Sequence, residues 1–146
     1  MNVVDTNVIS FIFNNNVEPQ GIYYLPFDVI DEIELTKMKH EKNISNNFLG
    51  ISTSEFFDES RYYYFYYQML NKYNLNSFFN MTGFGDISTL ATICTILDYF
   101  ERVKSEQLFD PTEEIVIFTG DKGLSKAIDS EFASFNVSVK KPNLLC

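Results

Sequence analysis

Short hydrophobic runs alternate with longer amphipathic stretches along this chain, and the alternation predicts the order of its strands and helices. β-Branched and aromatic residues predict strands at 2–5, 22–27, 114–120 and 135–139, with either a short strand or a bend at 48–53. Helical spacing predicts helices up to about residue 13 and at 28–42, 55–73, 86–104 and 124–130. Strands that alternate with helices are typical of an α/β fold with three layers, in which helices cover both faces of a central, mostly parallel sheet.

Acidic residues fall where such a fold places its functional edge, because ligands of parallel sheets bind at the carboxyl ends of the strands. Asp5 ends the first strand and Asp121 follows the strand at 114–120, so we expect both at that edge. Glu32 lies in the first turns of the second helix and Asp86 opens the longest one, where both can face the same edge. Each acid taken alone also fits a helix cap. Four acids that converge on one edge favour a site.

The composition predicts one domain that spans residues 1–146. Its apolar fraction of 45% is enough to bury a core without disulfide or metal support. The chain has no run of about 18 apolar residues and no basic and hydrophobic signal segment. We therefore expect a cytoplasmic protein that does not bind membranes. Cys94 lies in an apolar helical pattern and Cys146 is the last residue, which predicts neither a disulfide framework nor a metal site.

The charge balance argues against a nucleic acid partner unless cations intervene. Eleven basic and 20 acidic residues give a net charge of −9, and such a surface repels RNA and DNA at long range. Two bound divalent cations would reduce this charge to −5. Clustered carboxylates suit Mg²⁺ or Mn²⁺, which prefer oxygen ligands. His40 is the only histidine and lies among lysines, so general-base chemistry falls to the cations or to a carboxylate.

Four motifs resemble those of the PIN-domain ribonucleases, and among them the small VapC-type toxins. The opening VVDTNVI is similar to the first motif, with Asp5 as a metal-binding acid that Thr6 and Asn7 hold in place. The segment LPFDVIDEIE resembles the second and places an acid at Glu32. Three neighbouring acids leave that assignment open: Asp28, Asp31 and Glu34.

The third and fourth motifs complete the acidic set. GDISTLATI resembles the family's helix that opens with an aspartate, here Asp86. VIFTGDKGL resembles the strand that ends in Thr, any residue and Asp, which gives Thr119 and Asp121. The Thr119 hydroxyl either orients water or the Asp121 carboxylate, or caps the turn from strand to helix. The interval between residues 86 and 121 is longer than in compact VapC-type toxins, and the extra length falls in DYFERVKSEQLFDPTEE.

The resemblance implies a PIN-like fold and a metal-dependent endoribonuclease that cleaves RNA phosphodiester bonds. In that mechanism the four acids hold one or two Mg²⁺ or Mn²⁺ ions, and the catalytic residues are Asp5, Glu32, Asp86, Thr119 and Asp121. Two settings stay open. The protein is either the toxin of a toxin–antitoxin pair, with an antitoxin protein as partner, or a phage or defence nuclease without one.

Substrate contacts are harder to assign from the sequence. Asn7, Lys122 and Lys126 are candidates for contacts with RNA phosphates, as are three lysines of the second helix: Lys37, Lys39 and Lys42. Lysines on helix surfaces are more often simply solvated. The aromatic run at 61–69 places four apolar residues at helical spacing, which favours core packing or a homodimer face over base stacking. These residues are Tyr62, Phe65, Tyr66 and Met69.

Two other functions remain as alternatives. VVDTN and TGDKGL superficially resemble the aspartate motifs of haloacid-dehalogenase-like phosphatases, but that family has a second Asp where this chain has Asn7. The other alternative is a catalytically silent PIN scaffold for protein binding. The negative charge favours a scaffold, whereas four intact acids disfavour it.

Overall fold

Five parallel strands form one central sheet in the computed structural model, which describes residues 1–15, 20–27, 47–73, 84–106 and 114–144. The strands are β1 (Asn2–Val4), β2 (Tyr23–Leu25), β3 (Phe48–Gly50), β4 (Ile115–Phe118) and β5 (Val137–Lys140). Their order across the sheet is β3-β2-β1-β4-β5. Every neighbouring pair is parallel.

Four helices are described: α1 (Thr6–Asn15), α2 (Glu59–Tyr73), α3 (Phe84–Glu106) and α4 (Lys122–Glu131). Short 3₁₀ turns follow β3 at Ile51–Thr53 and β5 at Pro142–Leu144. The predicted three-layer α/β/α class with a parallel sheet is confirmed. The predicted helix at 28–42 lies outside the described residues. None of the described helices is long and apolar enough to cross a membrane.

Side chains that alternate along the central strands divide the core into two layers. Val3 of β1 packs in a cluster with residues of α2, α3 and α4. Val4, the next residue, packs on the opposite face with Val8 and Ile9 of α1. β4 follows the same rule, because Ile117 belongs to the first cluster and Phe118 to the second. All four residues of β4 are buried, which is why its sequence is hydrophobic throughout.

The predicted helix boundaries shift where side chains cap the helices. α2 begins at Glu59 and not at residue 55, because Oδ1 of Asp58 accepts hydrogen bonds from Ser60 N (3.1 Å) and Arg61 N (3.2 Å). Hydrogen bonds from Ser60 and Arg61 also lower the pKa of Asp58. The uncertain stretch at 48–53 resolves into β3 followed by a 3₁₀ turn.

Candidate functional site

β1 and β4 lie side by side at the point where the strand order reverses. From β1 the sheet continues to β2 on one side, and on the other side to β4, which is much later in the chain. Val4 of β1 is paired with Phe118 of β4, and Asp5 N donates to the Phe118 carbonyl (3.0 Å). Such a reversal opens a crevice at the carboxyl ends of the strands, where ligands of open α/β sheets bind. Asp5 and Thr119 are the first residues beyond those two strand ends.

At this edge of the sheet, the side chains of Thr119 and Asn7 both contact the Asp5 carboxylate. Its Oδ2 accepts hydrogen bonds from Thr119 Oγ1 (2.9 Å) and from Asn7 Nδ2 (3.1 Å). Asp5 is 6% exposed and Thr119 is 2% exposed. The predicted role of Asn7 in holding Asp5 is therefore seen directly. Thr119 directs its proton to Asp5, which differs from the expected alternatives in which it orients water or the Asp121 carboxylate.

Asn7 and Thr119 also fix the loop that follows β4. Asn7 Oδ1 accepts from Gly120 N (3.0 Å), and Thr119 Oγ1 accepts from Asp121 N (3.0 Å). The capping role considered for Thr119 is thus also present. Gly120 was not singled out from the sequence, because its contribution is a backbone N–H and the only signal is its position between two candidate residues. These contacts join the segments after β1 and β4 into one polar cluster.

Asp121 begins α4 as its N-cap. Its Oδ1 accepts from Leu124 N at 3.0 Å, so the capping interpretation holds for this acid. Oδ2 of Asp121 accepts no hydrogen bond from the described residues, and the residue is only partly buried. One carboxylate can therefore cap the helix with one oxygen and present the other to a ligand.

Asp86 lies in the first turn of α3 and is 8% exposed. A chain of contacts relates this helix start to the carboxyl edge of the sheet. Phe27, just after β2, packs against Tyr62 with ring centroids 5.2 Å apart, and the Tyr62 hydroxyl is 2.7 Å from Ser88 Oγ. Ser88 is two residues beyond Asp86. These contacts connect the first turns of α3 to the residue after β2 through Tyr62. That Asp86 faces the same edge as Asp5 and Asp121 stays a prediction.

Glu32 and its alternatives lie outside the described residues: Asp28, Asp31 and Glu34. In the described ranges, no group of three or more His, Cys, Asp or Glu side chains is arranged to hold a metal ion. Mg²⁺ commonly binds through one or two carboxylates together with water and substrate phosphates. The three described acids are hard oxygen donors, so the donor set fits Mg²⁺ or Mn²⁺ in chemistry.

The remaining candidates have mixed outcomes. Lys122 and Lys126 are exposed on α4, and their role in binding stays a prediction. In the aromatic run, Tyr62 and Met69 are buried, which confirms core packing for these two. Cys94 packs against the same core, and burial raises the pKa of its thiol to about 12.

Comparisons with models of protein families, with curated proteins and with solved structures found no match for this chain. The likeness to PIN-domain ribonucleases therefore rests on the four sequence motifs alone.

Proposed function

We propose that this protein is a Mg²⁺- or Mn²⁺-dependent endoribonuclease that cleaves RNA phosphodiester bonds. The observation that carries the proposal is the contact of Thr119 and Asn7 with the buried Asp5 carboxylate, at the point where the strand order reverses. Building such a cluster requires residues more than 100 positions apart in the chain to meet. Capping of α1 alone does not require Thr119 or Gly120.

In this proposal the acids would bind the cation, and two neutral side chains orient Asp5. Asp5, Asp86 and Asp121, with Glu32 as the fourth predicted acid, would hold the cation. When bound, a divalent cation activates water and offsets the negative charge that builds up on phosphate oxygens. Thr119 and Asn7 fix the rotamer of Asp5 before substrate arrives, because both donate to the same oxygen. The cation also reduces the repulsion between RNA and a chain of net charge −9.

The biological setting is part of the proposal. We place the enzyme in the cytoplasm, either paired with an antitoxin protein or acting alone as a phage or defence nuclease. Co-purification of a small protein expressed from a neighbouring gene separates these two settings. The phosphatase alternative gains no support from the site, because residue 7 contributes an amide where that family has a second carboxyl group.

The decisive experiment compares two aspartate-to-asparagine variants on labelled single-stranded RNA in Mn²⁺. Asp5→Asn should lower the cleavage rate at least about a hundredfold, because a ligand charge disappears while volume is kept. Asp129→Asn, an exposed acid of α4, is the matched control and should cleave as wild type does. EDTA should stop RNA cleavage by wild type and by Asp129→Asn. Equal cleavage by Asp5→Asn, or cleavage that persists in EDTA, contradicts the proposal, as does phosphate release from a small phosphoester without RNA cleavage.

A further inference from the structure

Charge is segregated within the unit formed by β4, α4 and β5. Residues 114–144 contain four lysines and four acids, so their formal charge is zero and the rest of the chain carries the whole net charge of −9. The acids other than Asp121 lie at or toward the amino edge of the sheet. Glu114 directly precedes β4, and Asp129 and Glu131 lie in the last turn of α4. Glu131 is about 13 Å along the helix from Lys122.

The four lysines of this unit approach the carboxyl edge from both faces of the sheet. Lys122 is the first residue of α4, and Lys126 lies one turn further on the same side of that helix. Lys140 ends β5 in register with Phe118, and its carbonyl accepts a hydrogen bond from Thr119 N (3.1 Å). Phe118 belongs to the core cluster on the α1 face, so Lys140 projects on the face opposite α4.

These lysines differ from the other described basic side chains in their partners. Arg61 and Arg102 both pair with Asp98, and Lys72 pairs with Glu131. No described carboxylate lies within ion-pair distance of the four lysines, and all four are exposed. We call them the lysine rim: Lys122, Lys126, Lys140 and Lys141. Solvated cations beside an acidic site are positioned to pair with an external anion.

We propose that the lysine rim binds the backbone phosphates of a single-stranded RNA that crosses the carboxyl ends of β4 and β5. This inference rests on the proposed function for its choice of RNA. It adds Lys140 and Lys141 to the predicted phosphate contacts. It also gives the RNA a path on the β4–β5 side of Asp5. A phosphodiester backbone suits this surface because successive phosphates can reach lysines on both faces of the sheet edge, whereas the net charge elsewhere repels it.

The test measures RNA binding and not cleavage. A short fluorescein-labelled single-stranded RNA is titrated in Ca²⁺ at several salt concentrations, and its integrity is checked afterwards. The double variant Lys140→Gln with Lys141→Gln should weaken binding several-fold. The slope of log affinity against log salt should become shallower by about 1.4, which corresponds to two lost phosphate contacts on a single strand.

The matched control is Lys72→Gln with Lys104→Gln, which removes the same charge elsewhere. Lys104 lies about 27 Å along α3 from Asp86. The control should keep the wild-type slope. Three outcomes would overturn the proposed role of the lysine rim. These are an unchanged salt slope in the Lys140/Lys141 variant, equal losses of RNA affinity in both double variants, and no RNA binding by the wild type. Lysine-dependent binding to anionic phospholipid vesicles in place of RNA would also overturn it. If Asp5→Asn cleaves normally while the rim variant loses slope, the proposed function fails and the rim stands.

Discussion

Two carboxylates, one directly after β1 and one at the end of α4, have different kinds of partner. The partners of Asp5 at the carboxyl edge include a hydroxyl and an amide, both neutral groups. Glu131 at the end of α4 receives the Tyr73 hydroxyl and forms an ion pair with Lys72. A neutral donor orients a carboxylate and leaves its formal charge in place, whereas a lysine compensates that charge from within the protein.

This difference separates a structural carboxylate from a candidate ligand. The contacts of Glu131 join α2 to α4 and need nothing from outside the molecule. The contacts of Asp5 fix an orientation at the edge where ligands of parallel sheets bind. We therefore expect substitutions near Asp5 to change the response to divalent cations, and substitutions near Glu131 to change stability alone.

The largest expected effect is on the cation response of Asp86→Asn. Mn²⁺ at about a hundred times its dissociation constant should stabilise wild type by roughly 2.7 kcal/mol, and the variant should lose much of that. In EDTA the variant should melt at the wild-type temperature or higher, because one like charge is removed from the acidic edge. Thermal melting with and without Mn²⁺ measures both effects.

Asp129→Asn is the control for this experiment, since it makes the same chemical change on an exposed part of α4. Its Mn²⁺ shift should equal that of wild type. Asn caps a helix about as well as Asp does, so a purely capping role for Asp86 predicts a full Mn²⁺ shift in the variant. That outcome would end the assignment of Asp86 to the cation site.

The second effect concerns orientation without ligation. Thr119→Val keeps the shape of a side chain that is 2% exposed, but it removes the donor to Asp5 and the acceptor of Asp121 N. Loss of these contacts should cost about 2 kcal/mol in urea unfolding with EDTA and should also weaken Mn²⁺ binding. Thr119→Ser retains the hydroxyl and should keep the Mn²⁺ affinity. A valine variant with wild-type Mn²⁺ affinity would show that the hydroxyl does not position Asp5.

The parts of the fold that the sequence predicted are those with strong local signals. The hydrophobic run predicted a strand at 114–120, which contains β4 (Ile115–Phe118), and the long apolar pattern predicted α3 within two residues at each end. The start of α2 was wrong by four residues because Asp58 caps the helix, and periodicity does not report caps. β3 was ambiguous because it is only three residues long.

The candidate site was predicted as a set of residues and not as a set of contacts. Asp5, Asn7 and Thr119 were singled out because motif residues sit beyond strand ends. The bond from Gly120 N to Asn7 spans 113 positions, and no local pattern reports a contact over that distance. The sheet order that brings β1 beside β4 arises from packing between distant segments, so neither the charge segregation of the β4–β5 unit nor the lysine rim was visible before the topology was known.

The smallest expected effect is at Glu131. Tyr73→Phe removes the hydroxyl that donates to Glu131, and Tyr73 is 3% exposed, so the variant should lose about 1 kcal/mol of unfolding free energy near neutral pH. Its Mn²⁺ shift should be the same as that of wild type. Urea unfolding at pH 8 with and without Mn²⁺ measures both quantities.

The pH dependence of the same variant tests the cause. Burial, together with the hydrogen bond and charge of Glu131, raises the pKa of Tyr73 above its ordinary value of 10.0. A group whose pKa is higher in the folded than in the unfolded protein stabilises fully below the unfolded pKa, and its contribution falls as pH rises toward the folded one. The stability difference between wild type and Tyr73→Phe should therefore be constant below about pH 10 and shrink above it. A difference that stays constant well above that pH would show that burial and Glu131 do not raise the pKa of Tyr73 in the folded protein. A changed Mn²⁺ shift would show that the contacts of Glu131 also affect the cation response.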